Sequence, residues 1–129
     1  IGVKVSTQDR KAVAQKFLHL SAEGVLAEVV LYKDDPLEGP FYGKYLGYEM
    51  AMKTKDINIR AEPYFFNREK GETAYSWNMN GQFIKSGKKP NTISLVAGDG
   101  SGSASVNFKM EKDTANNLQS AESEVNILF

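Results

Sequence analysis

From residue 56 to the C-terminus, apolar and polar residues alternate with a period of two. Ile57 and Ile59 flank Asn58, for example, and Val106 and Phe108 flank Asn107. Such alternation is typical of strands that place one face on a core and the other face in water. It predicts strands near residues 56–62, 73–79, 82–85, 91–97, 103–111 and 119–128.

Turn sequences separate these segments. Asn80-Gly81 lies between two of them, and Asn-Gly is a strong hairpin signal because both residues tolerate a positive φ. Further turns are expected at residues 86–90 and 98–102, and a polar loop is expected over residues 112–118. Short alternating strands with regularly spaced turns indicate a β-sandwich or a barrel.

The first half of the chain is less regular. A strand is expected near residues 27–33, which include Val29 and Leu31. Residues 34–55 contain Pro36 and Pro40 together with several glycines, and they are predicted to form one long connection without regular structure.

Two structures fit the N-terminal segment. Val13, Phe17 and Leu20 are spaced as one face of a helix over residues 9–20. Alternatively, these residues form the second arm of a hairpin, with Gly2–Ser6 as the first arm and residues 7–10 as the turn. We favour the hairpin because the rest of the chain is β. Residues 1–25 are then expected to end an upstream domain or to form a linker, and residues 26–129 to form the sandwich.

Composition narrows the range of functions. Sixteen basic and sixteen acidic residues give a net charge of zero, which provides no electrostatic argument for a nucleic-acid partner. No apolar run approaches the length of a membrane span. Cysteine is absent and His19 is the single histidine, so thiolate chemistry and sites with several histidines are excluded. We therefore expect no enzyme, no cofactor and no metal. The chain begins at Ile1, and we expect it to be a piece of a longer polypeptide.

Individual motifs do not change this expectation. The glycine-rich segment at residues 98–102 precedes an alternating strand, whereas a phosphate-binding loop opens a helix. Glu122 and Glu124 share the polar face of the last strand, where solvated carboxylates are the ordinary outcome. Asp34-Asp35 and Asp99 could bind calcium, although carboxylates in turns usually form local hydrogen bonds.

Aromatic residues provide the main binding candidates. Phe41, Tyr42, Tyr45 and Tyr48 lie in the long connection, and Tyr64, Phe65 and Phe66 follow the second expected strand of the sandwich. Exposed rings would stack on sugars or bury into a protein partner, whereas packed rings would extend the core. Packing is the commoner outcome for such rings. If a partner binds, we expect it at Phe41, Tyr42, Tyr45 and Tyr48.

Several segments of the second half resemble a bacterial Ig-like or PKD-like domain. They are the Tyr75-Ser76-Trp77 strand before Asn80-Gly81, the strand Asn91-Thr92-Ile93-Ser94-Leu95, and Ala104-x-Val106-x-Phe108. The resemblance covers roughly residues 27–129. It implies that Trp77 is the buried tryptophan of strand C, that Ile93 and Leu95 lie on strand E, and that strands F and G follow. The disulfide and the short first connection of many such domains are missing.

The fold expected from these observations is a seven-stranded antiparallel Ig-like (PKD-like) β-sandwich with a long connection between its first two strands. Its expected core residues are Trp77, Tyr75, Ile93, Leu95, Val106, Phe108, Val125 and Ile127. The expected function is that of a non-catalytic extracellular structural or adhesive module of a larger bacterial surface or secreted protein. Its partners would be other domains of the same chain or a protein or glycan. The alternative is a carbohydrate-binding module with an aromatic platform at residues 41–48 and 64–66.

Overall fold

The computed structural model describes residues 2–6, 13–17 and 26–129, with side chains described in the last range. These residues form strands and turns, and among them there is no helix that could span a membrane. In chain order the strands are β1 (Gly2–Ser6), β2 (Val13–Phe17), β3 (Glu28–Asp35), β4 (Gly39–Tyr45), β5 (Glu49–Ala51), β6 (Asp56–Tyr64), β7 (Gly71–Met79), β8 (Gln82–Ile84), β9 (Thr92–Val96), β10 (Ser103–Thr114) and β11 (Asn117–Leu128).

Strands β3 to β11 form two sheets. One has the order β4-β3-β6-β9 and the other the order β5-β11-β10-β7-β8. Neighbouring strands are antiparallel, except that β5 runs parallel to β11. The two sheets bury alternate residues against each other, as in a sandwich. The expectation of an all-β fold with two sheets is therefore confirmed.

The N-terminal strands β1 and β2 pair with each other in a separate two-stranded sheet. Gly2 pairs with Phe17 and Ser6 pairs with Val13 in antiparallel register. Residues 13–17 are thus strand, as in the hairpin alternative, and the helix alternative is wrong for them. The expected turn at residues 7–10 lies outside the described residues, and so does His19.

The core consists of the inward-facing residues of both sheets. Its buried members are Val29, Leu31, Ile57, Ile59, Ala61, Trp77, Ile93, Val106, Phe108, Met110, Ala121, Val125 and Ile127. They include the expected core residues except two. Leu95 is partly buried and packs against this cluster. The prediction for Tyr75 is wrong, because its side chain is 37% exposed.

Trp77 lies at the centre of the core and connects the two sheets. Its indole ring packs on Phe108 of the neighbouring strand, with ring centroids 4.6 Å apart. Its indole N–H donates to the carbonyl of Pro90, at 2.9 Å, in the segment that leads into β9 of the opposite sheet. Tyr75 lies two residues before Trp77 on β7. Its ring meets the ring of Phe108, at 6.1 Å, and remains open to solvent.

The prediction of one irregular connection over residues 34–55 is wrong, because β4 and β5 lie within it. The glycine and proline residues here mark a turn and a sheet edge. Asp35 accepts hydrogen bonds from the backbone N–H groups of Leu37 and Glu38, and Gly39 has a φ of 83°. This geometry closes a tight turn between β3 and β4. With β4 and β5 included, the sandwich has nine strands, and the expected number of seven is too small.

The prediction of a polar loop over residues 112–118 is also wrong. Strands β10 and β11 pair without interruption up to Thr114 and Asn117. The Thr114 hydroxyl donates to the Asn117 carbonyl and accepts from its N–H, which closes a two-residue turn. The predicted Asn80-Gly81 hairpin is confirmed, since both residues have positive φ.

Replacing Trp77 with alanine should lower the free energy of unfolding by about 3–5 kcal/mol, because the change leaves a large cavity and an unpaired Pro90 carbonyl. Phe83→Ala is the matched control, since Phe83 lies on the neighbouring strand β8 and is 72% exposed. Denaturant unfolding of both variants measures the difference. Equal losses of stability in the two variants would contradict the central position of Trp77.

Candidate functional site

A bulge in β4 determines where the aromatic side chains of this strand point. Asp34 pairs with Pro40 and Tyr32 pairs with Tyr45. The one residue between Asp34 and Tyr32 therefore faces the four residues 41–44 of β4. A bulge bends a strand and redirects its side chains, and it is frequent beside binding sites. Residues 41–44 therefore do not follow the regular pairing of β3 with β4.

The four aromatic residues expected to bind a partner are exposed, but the structure divides them among three surfaces. Phe41 and Tyr45 line a groove beside β4 and β5. Tyr42 lies on the outer face of the four-stranded sheet, with its ring against Tyr32 at a centroid distance of 5.1 Å. Tyr48 lines a second groove near Glu28 and Glu124, which Tyr45 also borders. The four rings do not form one platform, and packing into the core, the commoner outcome, is wrong for them.

The groove has a volume of about 450 Å³ and an apolar lining. The apolar side chains that line it are Phe41, Tyr45, Leu46, Met50, Met52 and Ile57. Flexible methionine side chains adapt to ligands of different shape. The ring of Phe41 lies over Gly43, which has no side chain to cover the strand. The groove therefore combines rigid aromatic side chains with an adaptable floor.

The charged groups of the groove are mostly basic. Lys33, Lys44 and Lys53 line it, whereas Glu49 is its single carboxylate. The chain as a whole is neutral, so this excess of positive charge is local. Basic groups beside an apolar surface favour a ligand that has both carboxylates and apolar groups.

A row of aromatic rings crosses the outer face of the four-stranded sheet. Tyr42 contacts Tyr32, the hydroxyls of Tyr32 and Tyr64 are 3.2 Å apart, and the ring centroid of Phe65 lies 6.3 Å from that of Tyr64. Within this row, the side chain of Tyr32 is buried, and those of Tyr42, Tyr64 and Phe65 are exposed. The ring planes are inclined, at 75° between Tyr32 and Tyr42 and 48° between Tyr64 and Phe65.

The backbone at Phe65 is strained. Its φ of 61° lies in the left-handed region, which a bulky aromatic residue rarely adopts. Gln119 of β11 accepts a hydrogen bond from the N–H of Asn67, at 2.6 Å, and Lys112 of β10 donates to the Asn67 carbonyl. These two contacts hold the loop after β6 against the other sheet. Strain of this kind is frequent at binding sites.

Polar side chains surround Tyr42. Its hydroxyl donates to Glu62, at 2.9 Å, and Arg60 also donates to Glu62. Arg60 forms a second ion pair with Asp34 of β3, in which its Nε lies 3.7 Å from a carboxylate oxygen. The hydrogen bond to Glu62 raises the pKa of Tyr42, because the neutral hydroxyl is the donor. These contacts fix the ring of Tyr42 and leave donors and acceptors beside it.

The described residues contain no group of three or more His, Cys, Asp or Glu side chains that could hold a metal ion. Asp35 uses its carboxylate to cap the turn at Leu37 and Glu38, and this hydrogen bonding lowers its pKa. Asp99 is fully exposed, 3.7 Å from Lys55. Glu124 accepts a hydrogen bond from the Ser105 hydroxyl, a contact between neighbouring strands. Asp35, Asp99 and Glu124, three of the carboxylates considered from the sequence, thus have partners within the fold.

Sequence reasoning missed several members of these surfaces. Met50 and Met52 lie on or beside β5, which the pattern did not indicate, and Lys33 joins them only through the fold. The alternation of Arg60 and Glu62 with buried residues does place both on the outer face of β6. That signal could have identified the polar surroundings of Tyr42.

No protein-family model matches the chain, and a search of curated proteins gives no significant match. Arguments about function therefore rest on the residues described above.

Tyr32 should ionise only at strongly alkaline pH. The hydrogen bond with the Tyr64 hydroxyl, together with burial, raises the pKa of Tyr32 to about 12. A raised pKa means that this tyrosine contributes stability below its ordinary pKa of 10.0 and loses that contribution as the pH rises toward 12. Ultraviolet absorbance during an alkaline titration should show this late ionisation, and Tyr32→Phe should abolish it. An unchanged titration in that variant would contradict the Tyr32–Tyr64 contact.

Proposed function

We propose that this chain is a non-catalytic extracellular module of a larger bacterial surface or secreted protein, and that it adheres to a protein partner through the groove beside β4 and β5. The observation that supports the proposal is the position of Phe41 and Tyr45, each 63% exposed, on an apolar groove. Exposed apolar surface rimmed by polar residues is a feature of protein interaction sites. Aromatic side chains in such places provide large contact areas at low entropic cost.

The partner segment should combine apolar side chains with carboxylates. The apolar lining favours desolvation of leucine or aromatic side chains, and Lys33, Lys44 and Lys53 favour acidic residues around them. A carbohydrate fits this groove less well, because sugars require several convergent hydrogen-bonding groups, and the groove offers mainly lysines. Such a segment can belong to a separate protein or to another domain of the same polypeptide.

The proposal includes an Ig-like or PKD-like fold, and it includes a location outside the cell because bacterial modules of this kind usually belong to secreted or surface-anchored chains. Strands A, B and E are neighbours in one sheet of an Ig domain. Strands β3, β6 and β9 are neighbours in this order here and would correspond to them. Strands β7, β10 and β11 would correspond to C, F and G, and they are neighbours in the other sheet. Trp77 then lies on strand C, as the tryptophan of Ig domains does. Strands β4 and β5 would be an insertion between strands A and B that forms the binding groove.

Selection from a phage-displayed library of short random peptides tests the groove. The chain should select peptides that contain both acidic and apolar residues, and Phe41→Ser should weaken their binding about tenfold or more. Tyr42→Ser is the matched control, because Tyr42 is the next residue on the same strand and lies on a different surface. Phe41 and Tyr42 are 63% and 55% exposed, so both variants should fold, and Tyr42→Ser should lose about 1–2 kcal/mol of stability with its contacts to Glu62 and Tyr32.

Selection of no peptide above background would contradict a peptide-binding groove. Equal loss of binding in Phe41→Ser and Tyr42→Ser would also contradict it, since the groove excludes Tyr42. Loss of several kcal/mol of stability in Phe41→Ser would mean that the ring is part of the packing.

Carbohydrate binding is the second candidate, and the aromatic row on the outer sheet face favours it. Tyr42, Tyr64 and Phe65 are exposed there beside Arg60 and Glu62, which combines ring faces with hydrogen-bonding groups. On a glycan array, this candidate predicts that Tyr42→Ser loses binding while Phe41→Ser retains it. Binding of no glycan by the unchanged chain would exclude it.

A further inference from the structure

Strand β9 is the outermost strand of its sheet, on the side away from β4. Among the residues that the structure describes, no strand pairs with its outer side. An uncovered strand edge exposes backbone N–H and C=O groups that can pair with another chain, and proteins usually protect such edges. The protection of each edge strand in this sandwich is therefore informative.

The other edges have the usual protective features. Strand β4 contains Pro40, Lys44 and the bulge, which all oppose the addition of a strand. Strands β5 and β8 have three residues each. Strand β9 has five residues (Thr92–Val96) without a charge or a proline, and it pairs with β6 in an unbroken register. It is thus the edge that lacks these features.

Hydrogen bonds at both ends of β9 identify the groups on its free side. Ala61 N–H donates to the Asn91 carbonyl at 2.9 Å, and Ala97 N–H donates to the Lys55 carbonyl at 2.7 Å. Because the direction of backbone groups alternates along a strand, Thr92, Ser94 and Val96 turn their N–H and C=O groups away from β6.

Thr92 is already satisfied by the loop before β9. Its carbonyl accepts from Gly87 N–H at 2.7 Å, and its N–H donates to the Lys89 carbonyl at 3.1 Å. The backbone groups of Ser94 and Val96 have no such partner within residues 26–129. Two donors and two acceptors therefore remain on this edge.

We propose that a second copy of this chain pairs with β9 in antiparallel orientation, about a two-fold axis at Leu95. In this register Ser94 of one protomer lies opposite the partner's Val96, and the two residues exchange both hydrogen bonds. The symmetric pair does the same, so four hydrogen bonds satisfy all the remaining groups of both edges. The two four-stranded sheets become one continuous sheet. This inference is independent of the groove and of the proposed function.

The side chains fit this register. Val96 is 77% exposed and becomes a neighbour of the small Ser94 side chain. Leu95, which is only partly buried, meets the partner's Leu95 on the core side of the sheet. The loop at Gly87 and Lys89 already binds both outward backbone groups of Thr92, so pairing with the partner is confined to residues 94–96 and the partner's chain leaves the edge before its Gly98. No like charges are opposed within the strand, because β9 has none.

Sedimentation velocity of the chain tests the association. The sedimentation coefficient should rise with concentration between about 10 μM and about 1 mM, the range expected for a small interface. Val96→Pro, which removes an N–H of the free edge, should remain monomeric over this range. Val96→Thr is the matched control and should associate as the unchanged chain does, because it keeps the N–H and a β-branched side chain. A monomeric unchanged chain, or association of Val96→Pro equal to that of the unchanged chain, would overturn the proposal.

Disulfide cross-linking tests the register and does not depend on the proline variant. The chain has no cysteine, so introduced cysteines have no competitor. Opposed residues of a hydrogen-bonded pair have Cα atoms about 5.5 Å apart, within the range of a disulfide, whereas diagonal neighbours are about 7–8 Å apart. Under an added oxidant, an equimolar mixture of Ser94→Cys and Val96→Cys should form a cross-linked dimer several times faster than either variant alone. Equal rates in the mixture and in the single variants would overturn the register.

Discussion

The contact of Trp77 with both sheets is the interaction on which the rest of the structure depends. Its ring packs on Phe108 within its own sheet, and its N–H binds the Pro90 carbonyl at the entrance to β9. A buried indole needs a partner for its N–H, so the position of the segment before β9 follows from the burial of this side chain. Asn91 then binds the Ala61 carbonyl through its side chain and fixes the register of β9 against β6.

The contacts of Trp77 lie at the centre of the sandwich, whereas the edge strands differ in how they are protected against pairing with another strand. On one side, β4 and β5 cover the flank with a bulged strand and a short parallel strand. The bulge opposes the addition of another strand, and the same distortion turns Phe41 and Tyr45 onto an open groove. Protection of the edge and exposure of the rings thus have one structural cause. On the other side, β9 has no bulge and retains unpaired backbone groups.

The sequence was sufficient to predict the strands of the regular half of the fold and insufficient to predict β4 and β5. Alternation over residues 56–61 or 104–110 reflects burial on one face, and this burial is a local property of each strand. Strand β4 lacks such alternation because it is an edge strand, with Phe41, Tyr42 and Tyr45 all exposed. Its glycine and proline residues give this strand an amino-acid composition that is typical of a loop. Strand β5 is too short for any period, and its pairing with β11 depends on residues far along the chain.

The aromatic residues illustrate the same limit at the level of the site. The sequence identified Phe41, Tyr42, Tyr45 and Tyr48 as a group because they are close along the chain. In a strand, however, neighbouring side chains point to opposite faces. Two rings that are adjacent in sequence, such as Phe41 and Tyr42, therefore lie on different surfaces. The groove instead combines Phe41 with Met50 and Met52 across a change of sheet, and the outer row combines Tyr42 with Tyr32 and Tyr64 across neighbouring strands. A binding surface on a sandwich is therefore defined by the strand order, and the bulge in β4 decides which surface each ring of that strand joins.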